Sequence, residues 1–407
     1  MSSKKESRKE QGSSAESDSN LKMEQLVKQY LEKMHTFPEN VVAELEVKFG
    51  TRSAKPITKI SFGNVIKSLQ NFGFKCEAEE QYMLRIMMEN TDEVKTQKIS
   101  NIRTEINGFS NIQNYCVTNN LPEQLDDNYS FTNKQLFTNA GATYYPVNFD
   151  DFNFRMTFNT EEEESKTSEQ ITAMITNWKH YKKIFRYIKR YRFVNPKFPF
   201  LIDISIVKSS TNKYGKMISH YNIKDSEIFN NPEKYEIEFE IDNTAVGMGT
   251  PFMNTQVLIP QIRRMVKYVL IGLQDSHYPI GQLEQFDVLN NYFVLIKKQN
   301  FKDRPVAPTD FIGPSSVTVQ MDHLQNLDED QEINSSLPNI RKNYTVTDKA
   351  DGHRKLMFIV GDGKIYLINT RMDVEFTGAI TKNEELFNTI IDGEHVSNDK
   401  YGKFINL

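Results

Sequence analysis

Glu44-Leu45-Glu46-Val47-Lys48 alternates charged and apolar residues at every step, and Glu236-Ile237-Glu238-Phe239-Glu240 repeats the pattern far downstream. Successive side chains of an extended strand leave opposite faces, so Glu44, Glu46 and Lys48 share one face while Leu45, Val47 and Phe49 share the other. By the same parity, Glu236, Glu238 and Glu240 oppose Ile237, Phe239 and Ile241. A solvated sheet face also alternates in this way, and for any single strand it is the commoner cause. Carboxylates in line repel, however, and destabilise a sheet unless a cation lies among them. Hard divalent ions such as Mg²⁺ or Mn²⁺ suit that oxygen-rich setting. A third segment supplies the opposite charge: Arg186, Arg190 and Arg192 share one parity, with Phe185, Tyr187, Tyr191 and Phe193 on the other. Alone, residues 182–192 read as a basic surface patch. With two acidic strands beside them they predict a closed barrel, with metal on one side of its lumen and polyphosphate on the other.

Segments 42–49, 100–107, 151–158, 184–194, 200–208 and 235–242 alternate or are rich in β-branched and aromatic residues, which predicts an antiparallel β domain. Helices are expected around 61–72 and 168–180. Residues 1–20 carry almost nothing apolar and read as a disordered tail. A short amphipathic helix follows, with Leu26, Val27, Tyr30, Leu31 and Met34 on one stripe. The β domain is thus assigned to 21–242. A helical connector is expected over 243–305, where Pro260 could occupy the first turn of a helix presenting Ile262, Met265, Val266, Val269 and Leu270 on one face. Pro305, Pro308 and Pro314 mark the next boundary, and a second domain rich in strands is assigned to 306–407. One hairpin is explicit, 356–360 with 364–368 joined through Gly361-Asp362-Gly363. Residues 326–336 are acidic and polar and read as a solvated loop.

Composition bounds these readings. A chain of 407 residues is long enough for two ordinary domains. A net charge of -4 with 26% charged residues describes a soluble protein rather than a generally basic nucleic-acid coat, so any nucleic-acid surface must be local. Cys76 and Cys116 are too few for a disulfide framework and lack metal-ligand spacing, which suits a reducing compartment. The most apolar stretch, 257–273, is interrupted by Arg263, Arg264 and Lys267, so no membrane span is expected. The N-terminus has no hydrophobic signal region, and secretion is not expected.

Over roughly 41–242 the chain resembles the triphosphate tunnel metalloenzymes, specifically the RNA 5′-triphosphatases of fungal and large-DNA-virus mRNA capping systems. Glu44-x-Glu46-x-Lys48 resembles their first-strand motif and Glu236-x-Glu238-x-Glu240 their last. Asn101-Ile102-Arg103 is similar to a tunnel-arginine strand, and Phe154-Arg155-Met156-Thr157 to the strand leading to a water-activating glutamate, which is Glu161, Glu162 or Glu163 here. Phe185-Arg186-Tyr187 with Arg190 resembles the phosphate-binding strand. Ile202-Asp203-Ile204-Ser205 with Lys208 resembles the strand that orients those basic groups. One departure is Ile188, where the family usually places a lysine. The resemblance implies that Glu44, Glu46, Glu238 and Glu240 bind Mg²⁺ or Mn²⁺. It implies that Arg103, Arg186 and Arg190 neutralise the phosphate, and that Glu161 orients the attacking water. Lys48, Arg155, Arg192, Asp203 and Glu236 are implied as further substrate-side residues.

Lys349-Ala350-Asp351-Gly352-His353-Arg354 carries the second chemical signal. A lone Lys-x-Asp-Gly is common and its bland reading is a charged turn. Here 344–347 read as a strand feeding into Lys349, 356–360 as the strand leaving it, and Ile390-Ile391-Asp392-Gly393-Glu394 as an apolar strand ending in carboxylates. This arrangement resembles the covalent nucleotidyltransferases, meaning capping guanylyltransferases and polynucleotide ligases. Phe311-Ile312-Gly313-Pro314 with Val317 and Val319 is similar to the start of that domain in viral capping enzymes. The resemblance implies that Lys349 is the nucleophile forming a lysyl–GMP adduct from GTP. Arg354 is implied as a nucleotide contact, Glu394 as a ribose or metal-site contact, and Asp351 and Gly352 as setters of the turn. Arg371 is a further candidate for a phosphate or base contact. A neutral amine is needed for attack, so cationic neighbours are expected to lower its pKa.

The expectation is therefore an α+β protein: an antiparallel eight-stranded β-barrel of the triphosphate tunnel kind, followed by a partial, ligase-like nucleotidyltransferase domain of antiparallel β/α type. The family's later motifs and closing oligonucleotide-binding lobe are missing, so this stretch is expected not to complete guanylyl transfer. The expected function is the first steps of mRNA capping on 5′-triphosphate RNA. The resemblance implies a methyltransferase module or subunit and a viral RNA polymerase as partners, and host cytoplasm or virion as location. The rivals are a polynucleotide ligase, which leaves the tunnel-like strands unexplained, a stand-alone tunnel enzyme acting on inorganic or thiamine triphosphate, which leaves the lysine domain unexplained, and a non-catalytic RNA-end-binding scaffold.

Overall fold

Charge alternation becomes strand pairing in the first of two units, Met1–Asp275. In this computed structural model the described residues are 2–50, 56–77, 80–90, 98–213, 216–298, 306–315, 317–325, 339–341, 343–346, 349 and 351–396. Eight strands form the barrel: β1 (Val41–Phe49), β2 (Gln81–Asn90), β3 (Lys98–Asn107), β4 (Tyr129–Leu136), β5 (Phe154–Glu163), β6 (Lys183–Val194), β7 (Phe200–Ser209) and β8 (Lys234–Ile241). They pair antiparallel in the order β1-β8-β7-β6-β2-β3-β4-β5, and β5 pairs with β1 to close the ring. Six of these strands match the sequence expectation; β2 and β4 were not foreseen.

Residues directly opposite in a ladder project from the same face, so the register carries one face around the ring. Glu46 stands opposite Glu240 and Lys48 opposite Glu238. Asp203 stands opposite both Glu238 and Arg192. Arg186 faces Arg85, and Arg85 faces Glu105. Arg103 faces Thr132, Lys134 faces Glu161, and Asn159 faces Glu44. That face is the lumen. The alternate residues point outward and are buried, among them Leu45, Leu84, Ile106, Phe131, Phe158, Ile204 and Phe239.

An apolar outer face needs cover, and helices supply it. Burying one such side chain contributes roughly 1.5–3 kcal/mol. α1 (Ser2–Lys33), α2 (Lys59–Asn71) and α5 (Thr255–Gln274) join the larger cluster through Leu26, Val27, Tyr30, Val65, Leu69, Ile262, Met265 and Val269. α3 (Phe109–Thr118) closes a second cluster through Ile112 and Tyr115, and α4 (Glu169–Thr176) a third through Ile171. Gly272 of α5 permits the close approach of α2, since a Cβ there would lie 2.4 Å from Val65 Cα.

Three boundaries differ from the sequence reading. The supposed disordered tail runs into α1, which begins at Ser2; propagating an existing helix is far easier than nucleating one, and Met23 to Tyr30 anchor the rest. Pro260 lies inside α5 rather than in its first turn, because Asn254 caps the helix earlier by accepting a hydrogen bond from Val257 N at 3.1 Å. The stretch assigned as a connector, 243–305, is divided: α5 packs on the barrel, while α6 (Gln282–Lys297) belongs to the second unit, Ser276–Leu407.

The second unit holds a four-stranded antiparallel sheet of β9 (His353–Ile359), β10 (Lys364–Asn369), β11 (Val374–Ile380) and β12 (Thr389–His395), in the order β11-β10-β9-β12. The hairpin expected at Gly361-Asp362-Gly363 joins β9 to β10, with Gly363 at a φ of 83° that favours glycine. α6 packs on this sheet through Val288, Tyr292 and Phe293. Tyr344–Val346 are exposed and lie outside any strand, unlike the expectation. Pro305, the acidic loop at 326–336 and Thr347 fall outside the described residues. Among the described residues no helix is long and apolar enough to cross a membrane.

Candidate active site in the barrel lumen

Thirteen positions singled out in the barrel sequence, Glu44, Glu46, Lys48, Arg103, Arg155, Glu161, Arg186, Arg190, Arg192, Asp203, Glu236, Glu238 and Glu240, all fall on the lumen face. The three glutamates left open in β5 sit differently. Glu161 Oε1 lies 3.2 Å from Lys134 Nζ and 3.4 Å from Arg103 Nη2. Glu162 has the opposite parity and accepts from Asn40 at the strand end, and Glu163 is exposed. Lys208 also has the outward parity and donates to the Phe229 carbonyl at 2.8 Å, so it does not orient the lumen arginines. Ile188 does face inward, where it is buried with Met83 and Val207 as an apolar patch.

Ion pairs sort the lumen into linked groups. Lys134 Nζ, from the unforeseen β4, bonds Glu44 and lies 3.3 Å from Glu46, so one ammonium serves three carboxylates with Glu161. Asn159 Nδ2 donates to Glu44 at 3.1 Å and to Glu46 at 3.3 Å. Lys48 Nζ donates to Glu238 at 2.7 Å and lies 3.6 Å from Glu236, which also pairs with Arg186. Asp203 of β7 gathers the arginines of β6: it takes a bidentate pair from Arg192, both at 2.8 Å, and Arg190 Nη1 at 2.9 Å. Arg192 also reaches Glu240 at 3.3 Å. On β2 and β3, Glu105 Oε1 lies 2.6 Å from Arg85 Nε and 2.8 Å from Arg103 Nε. Both pairs are at ion-pair distance, yet neither is aligned as a hydrogen bond.

Protonation follows from this wiring. Burial alone would raise the Glu238 carboxyl, but Lys48 and Arg190 outweigh it and hold the group well below the usual carboxylate range. Glu240 shows the reverse: burial, with Glu44 and Asp203 adding negative charge, pushes it up to about 8. Burial raises Glu44 as well, with Lys134 opposing. Lys134 itself is raised, because Glu44, Glu46 and Glu161 overcome the burial that would lower it. Burial and nearby carboxylates thus favour the protonated form of Glu44 and Glu240.

Among the described residues no three carboxylate, imidazole or thiolate groups are gathered as a ready-made metal cage. The reason is visible: Glu44 and Glu46 are drawn to Lys134, Glu238 to Lys48 and Glu240 to Arg192. The donor set nevertheless fits a hard divalent ion, being all carboxylate oxygen where β1 meets β8. Around the lumen Arg155 Nε, Arg186 Nε, Arg190 Nε, Thr157 Oγ1 and Ser205 Oγ are buried without a hydrogen-bond partner. Buried donors left open in this way suit an anionic guest.

The second candidate site is more open. Lys349 and Asp351 are almost fully exposed, their charged atoms 3.7 Å apart. Arg354 is pinned: its Nε and Nη2 meet Asp392 at 3.1 and 2.6 Å, Nη2 donates to Pro314 O, and the guanidinium lies 5.4 Å from the Phe311 ring. The Phe311–Pro314 stretch and β12 thus converge on the arginine, and a Cβ at Gly313 would come within 2.6 Å of it. Glu394 accepts from Gly352 N at 3.2 Å, fixing the turn after Lys349. Arg371 is exposed and pairs locally with Asp373 at 3.2 Å.

The chain is similar to known proteins as follows. Residues 294–404 match the family model described as mRNA capping enzyme, catalytic domain. The chain is 26% identical over 225 residues to a probable mRNA-capping enzyme of Acanthamoeba polyphaga mimivirus, an alignment covering 54% of this chain and 15% of that relative. Among solved structures, the mimivirus capping enzyme triphosphatase aligns with a TM-score of 0.39 at 17% identity, covering 62% of this chain and 97% of that one. The S. pombe Pct1 RNA triphosphatase aligns with a TM-score of 0.31 at 14% identity, covering 57% and 79%.

Proposed function

We propose that this protein, a homologue of mimivirus-type mRNA-capping enzymes, hydrolyses the γ-phosphate of 5′-triphosphate RNA in the barrel and belongs to a GTP-dependent guanylyl transfer system through its second unit. The observation that carries the reading is the closed lumen, with carboxylates of β1 and β8 facing arginines of β3 and β6. Glu44, Glu46, Glu238 and Glu240 would hold Mg²⁺ or Mn²⁺, which when bound neutralises charge on the γ-phosphate oxygens. Arg103, Arg186 and Arg190 grip the non-bridging oxygens, with Arg155, Arg192 and Lys48 extending the basic wall. Asp203 keeps Arg190 and Arg192 in line. Glu161 takes the proton of the water whose oxygen attacks phosphorus, as the bond to the β-phosphate oxygen breaks. Fixed charges aimed at the transferring group are the term that usually dominates such chemistry.

Within a completed nucleotidyltransferase domain the Lys349 amine would attack the α-phosphorus of GTP, forming a P–N bond and releasing pyrophosphate. Arg354 and Glu394 border the nucleotide. The two chemistries act in order on one RNA end, γ-phosphate removal and then guanylyl transfer, in the host cytoplasm or virion. The test is phosphate release from triphosphate-ended RNA with Mn²⁺ and with EDTA. Wild type releases phosphate only with the ion, and Glu44→Ala and Glu238→Ala lose about 100-fold or more while circular dichroism stays unchanged. Unchanged turnover in either variant defeats the reading.

A further inference from the structure

The two mouths of the barrel differ in charge. β1 ends, and β5, β6 and β8 begin, at the same mouth. Along β1 the inward residues run from Glu44 to Lys48, along β5 from Glu161 back to Arg155, and along β8 from Glu240 back to Lys234. Carboxylates therefore line the opposite mouth, while cations close the strands at this one. Glu236 and Glu89 also lie in this half, and they are taken up by Lys48 and Arg186 and by Ser219.

Beyond the edge of the barrel this face continues on residues outside the lumen. His220 and Lys183, at the start of β6, exchange both backbone hydrogen bonds, at 2.7 and 2.8 Å. That pairing sets Tyr221 opposite Lys182, which shares the parity of Arg186. The Lys182 ammonium lies 5.7 Å from the centre of the Tyr221 ring. Lys182 is exposed, and Tyr221 is 50% exposed. Asn119 donates to Tyr221 O at 3.1 Å and holds the segment. Buried Lys183 donates to the carbonyls of Trp178 and Tyr181, fixing the turn that carries exposed Lys179 and His180. A fixed, exposed ring beside lysines suits single-stranded nucleic acid, the ring stacking on a base and the ammonium meeting phosphate.

Reaction geometry selects the same mouth independently. In-line displacement places the attacking water and the leaving oxygen on opposite sides of phosphorus. Glu161, assigned above to the water, sits toward the carboxylate-lined mouth. The β-phosphate and the RNA behind it then point toward Lys182 and Tyr221.

We propose that the single-stranded RNA following the 5′-triphosphate docks at this basic mouth, with Tyr221 stacking on one of its first bases and Lys182 meeting its backbone phosphates. The proposal rests on the tunnel reading above. It adds the direction in which the substrate lies and a contact that tells an RNA end from free polyphosphate.

The full chain, wild type and variant, is assayed with Mn²⁺ for phosphate release from a short γ-labelled triphosphate-ended RNA, with unlabelled inorganic tripolyphosphate as competitor. Tyr221→Ala raises KM for the RNA about 10-fold, the loss expected for one stacked base. Its kcat and the Ki of tripolyphosphate stay at wild-type values, which damage to the barrel would not allow. Tyr221→Phe keeps the stack and the wild-type KM. Lys182→Gln lowers the slope of log KM against log salt by about 0.7, one phosphate contact on a single strand, and carries the test if Tyr221→Ala does not fold. Unchanged KM in Tyr221→Ala together with an unchanged salt slope in Lys182→Gln overturns the proposal and leaves the tunnel reading standing. A Ki that rises in step with KM does the same. Wild type that releases no phosphate, or that tripolyphosphate does not inhibit, overturns both.

Discussion

Replacing Lys134 by methionine removes one ammonium from among three carboxylates, and the structure sets the scale of the loss. Glu44, Glu46 and Glu161 all contact Lys134 Nζ, and the four side chains are between 13% and 27% exposed. Asn159 donates to two of the carboxylates but carries no charge. Removing one partner of a fully buried ionic group costs about 3–5 kcal/mol, because the remaining charge is left uncompensated. Partial exposure argues for the lower end, about 3 kcal/mol. For a unit of this size that corresponds to a fall in Tm of about 6–12 °C. Scanning calorimetry in EDTA reads it directly. Two further consequences separate this from ordinary core damage. Burial raises the Glu44 carboxyl, so its protonation relieves part of the repulsion and the deficit is smaller on the acid side than on the alkaline side. Mn²⁺ also supplies the missing charge, and at about 100 times its Kd it contributes about 2.7 kcal/mol. The ion therefore raises the Tm of Lys134→Met more than that of wild type, whose carboxylates already hold a cation. If the variant melts with wild type in EDTA, or gains no more from Mn²⁺, then Lys134 does not compensate these carboxylates.

Two other outcomes follow from single contacts. Lys349 is exposed, and among the described residues its one ion-pair partner is Asp351, so Lys349→Ala changes stability by no more than about 0.5 kcal/mol. It nevertheless removes whatever covalent GMP the chain takes from GTP, and label that survives on a denaturing gel of the variant refutes the assignment. Lys183 is fully buried, donates to the Trp178 and Tyr181 carbonyls at 2.7 and 2.8 Å, and is pushed down by burial to about 8 from 10.5. Between those values the unfolded chain binds the proton that the folded chain has released, so stability rises with pH from about 8 to 10.5. Urea midpoints across that window give the slope, and a slope in Lys183→Met equal to that of wild type excludes Lys183 as its source.

What could be read from the sequence depended on contrast between the two faces of a strand. β1 and β8 alternate carboxylate with apolar residues, and β6 alternates arginine with aromatics, so parity alone assigned their lumen faces. β2 defeats that reading. Its inward residues include Met83 and Met87 beside Arg85, while Leu84, Ile86 and Met88 point out, so the strand is apolar on both faces. The only available signal was Arg85 itself, one cation in an otherwise apolar run. β4 fails for another reason: its inward residues Ser130 and Thr132 are small and uncharged, and Lys134 reads as an ordinary surface lysine.

The two unforeseen strands hold the residues that change the account of the site. A strand pattern shows which charges share a face, but not which pairs of strands become neighbours. Lys134 matters because β4 abuts β5, and β5 abuts β1 only where the ring closes. The expected gathering of Glu44, Glu46, Glu238 and Glu240 therefore has two lysines threaded through it, Lys134 on one flank and Lys48 on the other, besides the arginines that reach Glu238 and Glu240. An ion entering between β1 and β8 must compete with both lysines. Its affinity is consequently set by residues that carry no metal-binding signature of their own. Lys48→Met should then tighten Mn²⁺ binding in parallel with Lys134→Met, and isothermal titration that finds weaker binding in either variant would contradict this competition.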